Sequence, residues 1–303
     1  VQGRVGGVEF ETAVFTNISH DHLDYHGSME AYSRAKLQLF ATEGLQHAVV
    51  NADDSLAPQV QLVVEEGVEV VTYSTTGRSA DVRLVAPRFL EDGVHGELHT
   101  PWGSGEFVSP LPGDFNLANL AAAVSALVLA GEELSAVLQA VSALNPAPGR
   151  MQIVPNELGL QVIVDYAHTP DALEHVLLAL KAHVERELIV VFGCGGDRDR
   201  EKRQVMGRVA CQYADRVVLT SDNPRGENPM QILRDIETGC SGDYQRVEDR
   251  AEAISLAVGS AVPGDCIVIA GKGHETYQIV EGERLPFSDE DHARDAIQRR
   301  AKS

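Results

Sequence analysis

Short apolar segments alternate with helix-like segments along the whole sequence, and this alternation limits the possible folds more than any other feature. Strands separated by helices are typical of α/β proteins, in which helices cover a mainly parallel sheet. The segments that read as strands are residues 12–15, 48–51, 68–73, 160–165, 187–192, 216–220 and 266–270. Residues 80–110 are rich in Val and Gly instead, which predicts antiparallel strands and turns.

A chain of 303 residues is long enough for two domains, each with its own core. Asn145–Gly149 contains two prolines and one glycine, which interrupt helices and strands, so this segment predicts a linker. We therefore expect one domain over residues 1–147 and another over residues 148–303. In residues 148–303, short apolar runs alternate regularly with helical segments. This pattern predicts a doubly wound sheet, in which binding residues follow the carboxyl ends of the strands.

The composition excludes several classes of partner. A formal net charge of −20 argues against a nucleic-acid surface, and no apolar run reaches the roughly 20 residues of a membrane span. The four cysteines are widely spaced, which indicates a reducing compartment. We expect a cytoplasmic monomer. The start at Val1 shows neither an initiator methionine nor a signal-peptide pattern, and we interpret it as the interior of a longer protein.

The segment His20–His26 contains three histidines and two aspartates in seven positions. A predicted helix follows, and its apolar face includes Lys36. The residues of that face are Met29, Tyr32, Lys36, Leu39 and Phe40. A buried ammonium must be paired, neutral or modified. A neutral amine can also take up carbon dioxide, which would turn Lys36 into a carboxylate-like metal ligand.

Two chemical interpretations of the histidine segment stay open beside a purely structural one. It is close to the HxHxDH pattern of metallo-hydrolases that bind zinc, but Tyr25 separates Asp24 from His26 and shifts the ligand spacing by one. The other interpretation is a magnesium site made by one imidazole and a carbamylated Lys36.

Four polar loops follow the later strands, at residues 164–170, 192–200, 220–225 and 270–275, and the second and fourth are rich in glycine. Because the carboxyl ends of parallel strands meet at one edge, we expect these loops to converge on one crevice. Their charged and amide side chains include Arg198, Asp222, Asn223, Arg225 and Glu275. Guanidinium groups suit a carboxylate and carboxylates suit an ammonium, so the crevice predicts an amino-acid ligand.

Two further positions predict contacts with a nucleotide. Asp165 ends a strand, where it can accept hydrogen bonds from a ribose or hold a cation, although Thr169 or Asp171 could simply cap the next helix. Asn116 and Asn119 lie on one side of a predicted first helical turn. An amide offers the donor and the acceptor that an adenine edge requires. Helix capping is the alternative for Asn116.

The motifs, in this order, resemble those of the Mur ligases of peptidoglycan synthesis, over essentially the whole chain. The segments that carry the resemblance are TNISHDHLDYHG, AYSRAK, PGDFNLANLAAA, PGRM, VDYAHTPDAL, FGCGGDRDREKR, DNPRGENP and GKGHE. DNPR is the mark of family members that add diaminopimelate rather than lysine.

The resemblance implies roles for individual residues. Lys36 would be an N6-carboxylated catalytic lysine and His22 a magnesium ligand, which leaves His20, Asp24 and His26 as structural residues. The residues implied at ATP are Asn116, Asn119 and Asp165. Those implied at diaminopimelate are Arg198, Asp222, Asn223, Arg225, Gly271 and Glu275. Gln2 and Arg4 are implied at the UDP-linked substrate, within VQGRV, where Gly3 replaces the usual histidine of the family.

The implied activity is that of an ATP-dependent acid–amino-acid ligase. It would add meso-diaminopimelate to UDP-N-acetylmuramoyl-L-alanyl-D-glutamate through an acyl phosphate, with ATP and Mg²⁺ as cofactors. The implied fold is a P-loop-type central ATPase domain over residues 1–147 and a Rossmann-like amino-acid-binding domain over residues 148–303. No GxxxxGK[ST] motif occurs in the 303 residues, so we expect an incomplete central domain that is inactive alone. A metallo-hydrolase using His20–His26 and a non-catalytic amino-acid-binding module remain alternatives.

Overall fold

The computed structural model describes residues 5, 7–19, 21, 23–90, 93–111, 113–181 and 183–302. The chain divides into two compact units. Unit 1 comprises Val1–Ser19 and Tyr25–Asn145, and unit 2 comprises His20–Asp24 and Pro146–Ser303. The assignment of residues 1–147 to ATP binding and of residues 148–303 to amino-acid binding stays a prediction.

Unit 1 contains a sheet of six strands within the described residues, in the order β1 to β6. The strands are β1 (Thr12–Phe15), β2 (His47–Asn51), β3 (Glu69–Ser74), β4 (Val82–Leu90), β5 (Gly93–Thr100) and β6 (Gly103–Ser109). Strands β1 to β4 pair in parallel, and β4 to β6 form an antiparallel meander. The antiparallel prediction for residues 80–110 is confirmed.

The helices of this part of the chain are α1 (Leu23–His26), α2 (Met29–Leu37), α3 (Ala57–Val63), α4 (Asp114–Leu129) and α5 (Leu134–Val141), with a 3-10 turn at Gln38–Ala41. Alternation along β2 gives the sheet of unit 1 two apolar faces. Val49 packs with α4 and α5 on one face, whereas Ala48 and Val50 pack with Phe40 and Val60 on the other.

The prediction that Lys36 lies on a buried helix face is wrong. Helix α2 contains no buried residue, and Lys36 is half-buried. The helix ends at Leu37, so Leu39 and the buried Phe40 belong to the 3-10 turn, where the helical spacing no longer applies. Because a half-exposed ammonium retains water, burial gives no reason for Lys36 to be neutral or modified. Its Nζ lies 5.1 Å from the centroid of the Tyr32 ring, within the range of a cation–π contact.

Unit 2 contains a second sheet of six strands within the described residues, in the order β11-β10-β9-β12-β8-β7. The strands are β7 (Gln152–Ile153), β8 (Gln161–Asp165), β9 (Leu188–Phe192), β10 (Arg216–Leu219), β11 (Tyr244–Arg246) and β12 (Cys266–Ala270), and β13 (Tyr277–Val280) and β14 (Glu283–Pro286) form a separate hairpin. Strands β8 to β12 are parallel, and only β7, among those described, pairs antiparallel within this sheet.

The helices of unit 2 are α6 (Pro170–Lys181), α7 (Glu201–Tyr213), α8 (Pro229–Glu237), α9 (Arg250–Ser260) and α10 (Asp289–Ala301). Ile189 and Val191 of β9 belong to a core shared with α9 and α10. Helices α6 and α7 pack against β9 and β10. The sheet is therefore covered on both faces, and the expected α/β class with a doubly wound second sheet is confirmed.

Helices α7 and α8 pack closely because Gly207 has no side chain. A Cβ atom at Gly207 would lie 2.2 Å from the backbone oxygen of Ile236. Gly259 provides a matched position near the end of α9, where a Cβ atom would meet nothing within 4 Å.

We expect Gly207→Ala to lower the free energy of unfolding of unit 2 by about 1–3 kcal/mol, because the new methyl group forces the helices apart. Gly259→Ala should raise it by up to about 1 kcal/mol, since alanine is the better helix former. Urea unfolding followed by far-ultraviolet circular dichroism measures both. An unchanged or higher free energy of unfolding for Gly207→Ala would contradict the role of Gly207 in packing.

Candidate functional site

The loops after β10 and β12 meet through Asn223, Lys272 and Glu275. Lys272 Nζ donates to Asn223 Oδ1 at 3.0 Å and to Glu275 Oε2 at 2.8 Å. Asn223 Nδ2 donates to the same Glu275 oxygen at 2.9 Å. These hydrogen bonds form a closed triangle of one cation, one amide and one carboxylate. The predicted convergence is confirmed for these two loops.

The environment of Glu275 favours its ionised form. Burial raises the pKa of this carboxyl, but the hydrogen bonds from Lys272 and Asn223 outweigh burial and hold the pKa below its ordinary value. The side chain of Lys272 is 0% exposed, whereas that of Glu275 is 19% exposed. The carboxylate is therefore the member of the pair that a ligand can reach.

Asp222 and Gly271 lie side by side at the same strand ends. Gly271 has φ +116°, and a Cβ atom there would lie 2.7 Å from Asp222 Oδ2. Only glycine adopts this conformation without strain and leaves room for the carboxylate. Asp222 is buried, with 7% of its surface exposed.

Arg225 connects three segments of unit 2. Its Nη1 donates to the backbone oxygen of Gly196, in the loop after β9, at 2.8 Å. Its backbone N–H donates to Ile279 O at 2.9 Å, and Glu281 N donates to Arg225 O at 2.8 Å, which joins it to the β13–β14 hairpin. Arg225 has φ +53°, a strained conformation for a residue with a side chain. These bonds hold it there.

A buried ion pair lies behind these loops. Arg250 donates from Nε and Nη2 to the two carboxylate oxygens of Asp289, at 2.7 and 2.8 Å, and both side chains are 0% exposed. The same guanidinium donates to Ser221 O at 3.3 Å and to Ala270 O at 2.9 Å. These carbonyl groups directly precede Asp222 and Gly271. Arg250 thus fixes the backbone from which both site loops start.

A second buried arginine ties the loop after β9 to the loop after β10. Arg203 makes a two-pronged contact with Glu227, at 2.8 and 3.1 Å, and contacts Asp235 at 2.8 Å. Glu227 also accepts the N–H of Asp197 at 2.6 Å and lies 2.9 Å from Arg200 Nη2. The hydrogen bonds from Arg203 outweigh burial and lower the pKa of Glu227 to about 2.

The side chains of Asp165 and Arg198 have no described contact with Asn223, Lys272 or Glu275, although the backbone oxygen of Asp165 accepts the N–H of Gly271 at 3.1 Å. Asp165 is buried, and its oxygens accept the N–H groups of Met151 and Ala167 at 2.8 and 2.7 Å. Burial raises the pKa of Asp165. Thr169 caps α6 by accepting the N–H of Ala172 at 3.2 Å, so the capping interpretation holds for Thr169. The exposed Arg198 donates to the adjacent Asp197 O, and no described contact brings it to Asn223 or Glu275.

The nucleotide and metal predictions concern other residues. Helix α4 begins at Asp114, with Gly113 as its cap, so Asn116 lies inside the first turn and is half-buried, while Asn119 is exposed. Gln2, Arg4, His20 and His22 lie outside the described residues. Among the residues described, no group of three His, Cys, Asp or Glu side chains could hold a metal ion.

Sequence reasoning missed four buried charged residues of this region. They are Lys272, Arg203, Arg250 and Asp289. Lys272 stands between two glycines in GKGHE, where a basic residue beside glycines is a usable signal. Arg203 ends the segment GDRDREKR and has no glycine beside it, so local sequence does not mark it. Arg250 and Asp289 are 39 positions apart, and nothing in their local sequence pairs them.

Two family descriptions match the chain. The Mur ligase middle domain matches residues 1–127, and the Mur ligase glutamate ligase domain matches residues 149–273. The chain belongs to the Mur ligase family.

Individual relatives carry a more specific name. The UDP-N-acetylmuramoyl-L-alanyl-D-glutamate–2,6-diaminopimelate ligase of Coxiella burnetii is 48% identical over 302 residues, covering 98% of this chain and 62% of the relative. The ligase of the same name from Synechococcus elongatus is 48% identical over 303 residues, covering 99% and 61%. A solved structure of a ligase of this name is 43% identical, with a TM-score of 0.63, covering 100% and 63%. The chain thus spans less than two thirds of each relative.

We expect Glu227→Gln to lower the free energy of unfolding by about 1–2 kcal/mol near neutral pH. This is less than the free energy that corresponds to the full pKa shift, because solvent screens part of the interaction. The pKa of Glu227 is below its ordinary value of 4.5, so this stabilisation is complete above pH 4.5 and is lost as the pH falls to about 2. The difference between the parent chain and the variant should shrink over that window.

Urea unfolding at a series of pH values measures this difference. Glu30→Gln is the control, because Glu30 pairs with Arg34 on an exposed helix surface and should contribute below about 1 kcal/mol. A difference for Glu227→Gln that stays constant down to pH 2 would contradict the assigned cause.

Proposed function

We propose that this chain is part of an ATP-dependent ligase of peptidoglycan synthesis. The reaction is the addition of meso-diaminopimelate to the D-glutamate of UDP-N-acetylmuramoyl-L-alanyl-D-glutamate. The observation that carries the proposal is the meeting of Asn223, Arg225 and Glu275 at the strand ends of unit 2, in a family whose similar members bear the name of that activity. A purely acidic or purely basic crevice would not match an amino acid.

The charges favour a ligand with an ammonium and a carboxylate at the same end. Glu275 is ionised and suits the ammonium, and the Arg225 guanidinium suits the carboxylate. Diaminopimelate has such a group at each of its two ends, so one end can be held while the amine of the other end attacks. Lysine has no carboxylate at its side-chain end, which is the basis for selection against it.

In this proposal ATP supplies activation of the glutamate carboxylate as an acyl phosphate. The role of the chain is to bind and orient: Arg225 and Glu275 hold the amino acid, and Asp222, Asn223 and Gly271 shape its surroundings. Asn116, Asn119 and Asp165 are proposed at the nucleotide, Arg198 at diaminopimelate, and Gln2 and Arg4 at the UDP-linked substrate.

The magnesium site of His22 and carboxylated Lys36 remains a prediction. His22 lies outside the described residues, and no group of three or more His, Cys, Asp or Glu side chains among the described residues could hold a metal ion. We therefore route no step through a metal ion. Family membership gives no support to the zinc hydrolase alternative. None of the described helices is long and apolar enough to cross a membrane, and a cytoplasmic monomer remains a prediction.

Calorimetric titration tests the amino-acid site directly. We expect the 303-residue chain to bind meso-diaminopimelate about tenfold or more tightly than L-lysine, because only diaminopimelate has a carboxylate at its side-chain end for Arg225 to contact. Arg225→Lys should remove most of this preference, since lysine lacks the planar two-pronged donor. The matched control is Arg234→Lys on the exposed side of α8, which should change nothing. Equal affinity of the parent chain for both amino acids would contradict the proposal.

A phosphate-release assay tests the reaction. A protein of the relatives' full length that contains this chain should release phosphate only with ATP, the UDP-linked substrate and meso-diaminopimelate together. The 303-residue chain alone should release none, because it has no GxxxxGK[ST] segment to cradle the phosphates. Turnover by that chain alone would refute this reading of the missing motif.

A further inference from the structure

Lys272 is buried at the centre of the site loops, and the proposed reaction gives it no part. Its side chain is 0% exposed. It donates to Asn223 and to Glu275, and its Nζ lies 5.6 Å from the centroid of the Tyr277 ring. An ammonium has three N–H donors. Two carry hydrogen bonds and the cation faces an aromatic ring, so groups of the chain itself surround Lys272.

We propose that Lys272 is a positioning residue, which fixes the Glu275 carboxylate and the Asn223 amide so that they receive the ammonium of the amino acid. This inference rests on the proposed function for the identity of the ligand. The contacts among the three side chains do not depend on it.

The orientation of the Asn223 amide follows from its neighbours. Lysine is only a donor, so the atom that faces Lys272 Nζ has to be the amide oxygen. The backbone N–H of Ile279 donates to the same oxygen at 2.9 Å. The Asn223 amide nitrogen is thereby turned toward Glu275. Without Lys272, one of the two donors that fix this orientation is lost.

The hydrogen bonds to Glu275 leave one of its oxygens for a ligand. Both side-chain bonds described for this carboxylate end on Oε2. Oε1 is then the atom that can accept from an incoming ammonium. Lys272 and Asn223 together hold the carboxylate of Glu275 through Oε2 and leave Oε1 to face the ligand.

Lys272 also controls the charge of Glu275. Among the described residues, the other charged or titratable groups that act on this region include Arg225, Arg250, Asp222, Tyr166, Tyr277 and Arg150. Burial alone would raise the pKa of Glu275, and Lys272 provides the first of the hydrogen bonds that lower it. Removal of the ammonium should therefore raise this pKa. An ammonium ligand needs the carboxylate form of Glu275. As the pH is lowered, binding should therefore be lost at a higher pH in the variant than in the parent chain.

The test that needs no ligand is a titration of Glu275 by nuclear magnetic resonance, in the 303-residue chain with ¹³C-labelled glutamate carboxyl groups. We expect Lys272→Met to raise the titration midpoint of the Glu275 carboxyl group by about one pH unit or more. Lys181→Met is the matched control. It breaks a lysine–carboxylate pair with Asp215, which precedes β10 at the opposite end of the sheet, and should leave Glu275 unchanged. An unmoved Glu275 midpoint in folded Lys272→Met would overturn the proposal.

The second test is calorimetry with meso-diaminopimelate across the same pH range. Lys272→Met should weaken binding of meso-diaminopimelate about tenfold near neutral pH. It should also raise the pH at which binding is lost on acidification. Lys272→Gln keeps one donor for Glu275 and should give an intermediate shift, and it serves as the test variant if Lys272→Met does not fold. If the parent chain binds no diaminopimelate, the proposed function fails. The Glu275 midpoint still decides the role of Lys272.

Discussion

The candidate site of unit 2 depends on how one buried ammonium is paired. Lys272 follows strand β12 and is fully enclosed, so acceptors from neighbouring loops have to meet its charge. Asn223 and Glu275 supply them and thereby join the loops after β10 and β12. The β13–β14 hairpin joins the same set, because Ile279 donates its N–H to the amide oxygen of Asn223.

The strands were predictable because each is a short apolar run bounded by polar residues. All seven of the parallel strands predicted from such runs agree with the structure to within one residue at each end. The convergence of loops was also predictable, since parallel strands bring their carboxyl ends to one edge. The proximity of Asn223, Arg225 and Glu275 was therefore predictable from their positions after strand ends, whereas their role in binding stays a prediction.

Other parts of the site depend on partners that local sequence does not reveal. The ion pairs of Arg203 and Arg250 link positions 24 to 39 residues apart. From the sequence alone, any other Asp or Glu would be an equally good partner for either arginine. The prediction that Lys36 is buried failed for a related reason. Helix α2 ends at Leu37, and a spacing pattern does not show where a helix ends. Arg198 suited a carboxylate by its chemistry, yet its guanidinium contacts the adjacent Asp197 backbone.

The hairpin β13–β14 is attached to Arg225 by main-chain atoms on both partners: Arg225 N with Ile279 O, and Glu281 N with Arg225 O. Main-chain bonds do not depend on which side chains the hairpin carries. Strand β14 is exposed along its whole length, so its side chains can be exchanged without loss of these main-chain bonds. The side chains of β13 are more constrained, because Gln278 Nε2 donates to Asp222 O at 2.6 Å and the Tyr277 ring faces Lys272. Strand β14 is therefore the part of the hairpin whose surface could be redesigned without disturbing the loops after β10 and β12.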